Sequence, residues 1–146
     1  MAEAFSAFQT AADLGHVRAY NALAYLMVTP NFDRDVIAIP FDQQSANALW
    51  EKGIAAGDPF SMHARGKRLL QSTTSPDDRK RGFELLSRAV ELGHTYSLNE
   101  LGVFYLWGSK ELAQPKRGLS YFTASAERGD IYGMANLGYV HRDGIA

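Results

Sequence analysis

The sequence predicts an all-α protein, a solenoid of stacked antiparallel helix pairs. Three observations carry that reading. Glycine recurs at positions 15, 57, 93 and 129, separated by 42, 36 and 36 residues. Apolar side chains before and after each glycine follow helical spacing, and small residues return at matched places in both halves.

Upstream of the marker glycines stand Ala4, Phe8, Ala11 and Ala12; Ala46, Trp50, Gly53 and Ile54; Gly82, Leu86, Ala89 and Val90; and Gly118, Phe122, Ser125 and Ala126. Seven residues before each glycine the residue is large and apolar. Downstream come Ala19, Leu23 and Ala24; Ser61, Arg65 and Gly66; Ser97, Leu101 and Gly102; and Gly133, Leu137 and Gly138. Small residues at fixed places mark where two helices approach closely. Each marker glycine suits the left-handed position that ends a helix, where a Cβ would be penalised. Asp58 and Asp130 are then N-caps, with Pro59 at the first helical position. Ser75-Pro76-Asp77-Asp78 and Gln114-Pro115 open the third and fourth upstream helices in the same way. One helix pair cannot bury its apolar stripe alone, so pairs must stack.

Composition bounds the function. The 146 residues are 46% hydrophobic, long enough for one domain that buries a core without crosslinks. The formal net charge of -1 lacks the basic footprint of a nucleic-acid binder. The chain has no cysteine, which removes a disulfide scaffold, a thiolate zinc site and a cysteine nucleophile. Apolar runs such as Ala22 to Val28 are too short to span a bilayer, so no membrane insertion is expected. Met1 to Phe5 shows no basic segment followed by an apolar one, so no secretory signal is visible there. The compartment stays open.

The segment Leu101-Gly102-x-x-Tyr105-x-x-Gly108, followed by Gly118, Phe122, Ala126 and Gly129, resembles the Sel1-like repeat (SLR), a relative of the tetratricopeptide repeat. Ala135 to Ile145 looks like the opening of another unit. The resemblance covers nearly the whole chain and implies a right-handed α-α superhelix that serves as scaffold or adaptor. In that frame a single repeat domain spans 1–146: a half-unit 1–15, units 16–57, 58–93 and 94–129, and a half-unit 130–146. It departs from the pattern at Arg65, where leucine is expected, at Ser72 in place of the second glycine, and at Met27, Leu69 and His141 in place of tyrosine. The first unit carries six extra residues in a stretch, Thr29 to Asp42, expected to fold its apolar side chains over helix ends, with a dedicated partner-binding loop as the alternative.

Motifs for chemistry are absent. His16, His63, His94 and His141 are too far apart for two ligands on one helical turn, so no metal or cofactor is expected. His16 and His94 follow marker glycines and are assigned a structural role at helix starts. No nucleophile elbow, phosphate loop or zincin helix occurs, and no enzymatic role is expected. The mixed-sign run Asp77 to Arg81 reads as a solvated face.

The resemblance further implies that the first helix of each unit lines a concave surface. The candidate contacts there are Arg18, Asn21 and Tyr25; Phe60, His63 and Lys67; Tyr96, Asn99 and Val103; and Tyr132, Tyr139 and Arg142. Tyrosine supplies contact area at low entropic cost, asparagine bonds peptide groups and cations suit carboxylates, so the expected partner is a protein or peptide segment. Tyr20 and Trp107 are assigned to packing. Neither chain end looks like a polar cap, so a segment of a longer repeat protein, or end-to-end self-association of open ends, is expected. The alternatives are a repeat region of a larger enzyme or signalling protein, an enzyme with a non-local site, and a spacer.

Overall fold

A computed structural model describes residues 2–29, 42–72, 75–108 and 113–145. Most of the segment between Thr29 and Asp42 lies outside these residues. Among the described residues the chain forms eight α-helices and no strand. They are α1 (Ala2–Asp13), α2 (Val17–Val28), α3 (Gln43–Ala55), α4 (Pro59–Ser72), α5 (Pro76–Glu91), α6 (Tyr96–Trp107), α7 (Pro115–Glu127) and α8 (Ile131–Arg142). Two compact units share them, Met1–Arg65 and Gly66–Ala146, the division falling inside α4.

The four marker glycines end α1, α3, α5 and α7 as expected. Their φ angles are 82°, 81°, 89° and 80°, a region closed to most side chains. The chain then reverses at once. After Gly57, the Asp58 carboxylate accepts from Ser61 N at 2.9 Å and from Ser61 Oγ at 2.6 Å, satisfying donors the new helix leaves unpaired. Asp130 caps α8 by accepting from Tyr132 N at 2.8 Å. Ser75 caps α5 through Asp78 N. Gln114 departs from the expectation: Pro115 begins α7, yet the Gln114 side chain makes no cap. Asp42 was not read as a cap but is one for α3, accepting from Ser45 N at 2.9 Å. Its spacing to Ser45 repeats that of Asp58 to Ser61, and that was the available signal.

In the first unit α1 packs on α2 and α2 on α3, and α4 joins the α2–α3 cluster through Ala64. Ala24, Ala46 and Trp50 are fully buried in one cluster with Val28 and Ala64. A second cluster joins Ala12 and Ala19 to Leu23, with Tyr20 packed against it as expected. Arg65, which breaks the leucine pattern, is accommodated by ion pairing with Glu51 at 3.3 Å, so its head group is partnered and its stem still packs.

In the second unit the same architecture is built on glycine. A Cβ on Gly66 would lie 2.9 Å from the Gly82 carbonyl, and one on Gly82 would lie 3.0 Å from that of Gly66. α4 and α5 therefore touch backbone to backbone. α6 and α7 repeat the contact: a Cβ on Gly118 would meet the Gly102 carbonyl at 3.0 Å, and one on Gly102 would meet the Phe122 ring at 2.5 Å. Phe122 is fully buried in that seat, with Leu106 and Val140. Trp107 tilts against Phe122 at 5.5 Å but stays 45% exposed, so its packing is one-sided.

Gly138 occupies the same repeat position as Gly66 and Gly102, but a Cβ there meets nothing within 4 Å. Alanine should therefore act oppositely at the two sites. Gly102→Ala overpacks the Phe122 seat and should lower unfolding free energy by about 1–3 kcal/mol, while Gly138→Ala should raise it by about 0.5–1 kcal/mol through helix propensity. Urea unfolding of the two variants checks the pair of signs.

Candidate protein-binding face

The candidate contact residues lie on α2, α4, α6 and α8, the helices that follow the marker glycines. Within the first unit, Arg18 sits over the Phe60 ring at 3.6 Å, joining α2 to α4. Asn21 is turned inward: its Oδ1 accepts from Trp50 Nε1 at 3.0 Å and satisfies the indole of the buried core. Tyr25 is 59% exposed, and His63 is half-buried.

The second unit gathers more of the set. Tyr96 and Tyr132 hold repeat-equivalent places on α6 and α8, and their rings meet edge to face at 5.2 Å. One turn pair further along each helix, Val103 and Tyr139 are exposed. Each exposed residue stands seven positions after the tyrosine on its own helix, the spacing of one helix face. Lys67 reaches from α4 to the Glu100 carboxylate and lies 5.9 Å from the Tyr96 ring centroid. Arg142 lies over Tyr139 at 5.0 Å and pairs with Asp143 at 2.7 Å. Both cations are thus already engaged with carboxylates of the chain, which weakens the expected preference for an acidic partner.

Asn99 is a correction. Sequence reasoning put it on the surface, but it is only 2% exposed. Its Nδ2 donates to Ser125 Oγ and to Asp130 Oδ2, both at 3.0 Å, and its Oδ1 accepts from Asn136 Nδ2 at 3.3 Å. Asn99 thereby ties α6 to the turn after α7 and to α8. A buried amide must find such partners, and the Asp130 cap and Ser125 supply them. Asn136 and Ser125 were missed as members of this network. The usable signal was that a small polar residue stands four before the marker glycine at 125, facing position 99 one repeat earlier.

The histidines that follow marker glycines differ in detail. His94 Nδ1 and Ser97 Oγ are 2.9 Å apart, a helix-start contact of the expected kind. His16 makes no side-chain cap, and residue 19 is alanine where 97 is serine, so the His94–Ser97 side-chain contact has no counterpart there.

Burial pushes the Tyr96 phenol above its ordinary value of 10.0, and the Glu100 charge pushes the same way while Lys67 opposes. Tyr105 is also raised by burial, against the Arg117 guanidinium lying 4.4 Å over its ring. No cluster of carboxylates and imidazoles able to hold a metal occurs among the described residues. No helix is long and apolar enough to cross a membrane among them.

The fold is shared with known structures. The Sel1 repeat protein from Oxalobacter formigenes superposes with a TM-score of 0.77 at 22% identity, over 97% of this chain and 56% of that one. Protein c5321, a protective antigen present in uropathogenic Escherichia coli strains and displaying an SLR fold, gives 0.73 at 21%, over 95% of this chain and 29% of its own. The chain spans about half the length of the first and less than a third of the second. No protein-family model matches, and no curated protein matches. The chain therefore has the Sel1-like repeat fold, an all-α stack of helix pairs, as the glycine register implied.

Two outcomes follow from the site geometry. Asn99→Ala leaves Ser125 and the Asp130 cap short of a donor and should cost about 1–3 kcal/mol in chemical denaturation. Because the Tyr96 and Tyr105 ionisations are raised on folding, the stability they contribute is complete below the unfolded phenol value and is lost as pH climbs through the folded one. Urea midpoints measured from about pH 9 to pH 12 should fall for the wild type and fall less steeply for Tyr96→Phe combined with Tyr105→Phe.

Proposed function

We propose that the chain is a protein-interaction scaffold, and that the face of α6 and α8 carrying Tyr96, Val103, Tyr132 and Tyr139 binds a segment of a partner protein. The observation that carries this is the exposure of Tyr132 and Tyr139, at 57% and 49%, beside exposed Val103. Large apolar side chains gathered on one face, rimmed by polar groups, mark interaction surfaces, and tyrosine is enriched at their energetic centres. The Sel1-like repeat fold supports the reading, since stacked repeats present such faces side by side.

The pairing of Lys67 with Glu100 and of Arg142 with Asp143 supports an apolar partner over an acidic one. A carboxylate would have to displace Glu100 or Asp143, whereas an apolar or aromatic side chain can settle on the tyrosines without breaking an ion pair. The partner segment is accordingly read as one presenting apolar side chains. The two solved neighbours are longer than this chain, which fits the reading of the repeats as the interaction region of a larger protein.

With a partner recovered by affinity capture, Tyr132→Ala combined with Tyr139→Ala should reduce binding by about 100-fold, two anchors at roughly 1–2 kcal/mol each, with circular dichroism unchanged. Raising salt should change wild-type binding little. Undiminished binding by the double variant would place the interaction elsewhere, and loss of binding in moderate salt would restore the acidic partner.

A further inference from the structure

Two repeat-equivalent places in the second unit are occupied by different chemistry. At the first, Lys67 of α4 reaches the Glu100 carboxylate of α6, 33 residues on, and the Glu100 side chain is only 11% exposed. At the second, the residues 33 apart are Val103 of α6 and Asn136 of α8. No ion pair can form there, and Val103 stays 37% exposed although α8 follows it.

The orientation of the Asn136 amide follows from its neighbours. The Asp130 carboxylate accepts, so the Asn99 group that bonds it at 3.0 Å is Nδ2, which also donates to Ser125 Oγ. Asn99 therefore turns Oδ1 towards Asn136, which answers with its own Nδ2 at 3.3 Å. The Asn136 Oδ1 is left as an acceptor that bonds no described residue, on a half-buried side chain. Every group that orients it belongs to α6, to α7 or to the cap of α8. Asn136 stands four residues after Tyr132 and three before Tyr139, on one face of α8.

A neutral acceptor on a face whose cations already hold carboxylates matches a neutral donor. A peptide N–H is such a donor. An extended segment presents it free, whereas the interior of a helix has committed its N–H groups to its own carbonyls. Resting on the scaffold reading above, we infer that the partner segment binds in extended form, donating one main-chain N–H to Asn136 Oδ1 while its apolar side chains cover Val103 and the tyrosines.

A phage-displayed library of random dodecapeptides serves as the probe, selected on the purified chain and counter-selected on the Tyr132→Ala/Tyr139→Ala protein. Synthetic copies of the selected peptides should bind the wild type without gaining helical circular dichroism. Replacing one particular backbone amide by an ester removes its N–H and should weaken binding to the wild type about 10-fold. The same ester should change binding to the Asn136→Ala protein by less than about 2-fold, a non-additivity that a modest loss of stability in the variant does not imitate. Peptides that bind as helices, or esters that act equally on wild type and Asn136→Ala, would overturn the extended mode and leave the tyrosine face standing. A library that yields no peptide dependent on the two tyrosines would overturn the scaffold reading and this inference with it.

Discussion

The backbone contact between glycine pairs governs the second unit of this protein. At Gly66 with Gly82 and at Gly102 with Gly118 the helices are so close that one added Cβ would reach the opposing carbonyl at about van der Waals contact or nearer. That proximity creates the seat into which Phe122 drops, and it fixes the offset between successive helices. The offset in turn brings Tyr96 against Tyr132 and Asn99 within reach of Ser125, Asp130 and Asn136. The first unit reaches the same arrangement with Ala24 and Ala46 in place of glycine, and fills the space with Trp50.

The helix order was legible because its punctuation is local chemistry. A left-handed glycine, an Asp or Ser cap and a proline at the first helical position act within a few residues, and nearly all stand where the sequence put them. The small-residue register was legible too, since close helix approach permits few alternatives at Gly66, Gly82, Gly102 and Gly118. Which polar residues face solvent was not. Asn99 and Tyr96 share a helix and lie within a turn of each other, yet one closes an internal network while the other borders the exposed patch. That distinction depends on what α7 and α8 present across a gap of some thirty residues, which helical periodicity does not encode. Arg65 makes the same point, since its tolerance rests on Glu51 one helix earlier.

The polar network and the apolar patch divide the labour of this surface. Asn99, Ser125 and Asp130 hold α6, the following turn and α8 in fixed register, spending their hydrogen bonds inside the protein. The tyrosines and Val103 stand on that frame with area to spare. A platform held in this way would lose little entropy if the proposed partner settled on it.

The most direct test is site-specific photo-crosslinking, with a benzophenone side chain in place of Tyr132 and, as control, of Leu92, which is 54% exposed at the end of α5. The account predicts that the probe at position 132 captures a discrete partner protein and the probe at 92 does not. Equal yields from both positions, or capture from 92 alone, would contradict the assignment of binding to the α6 and α8 face.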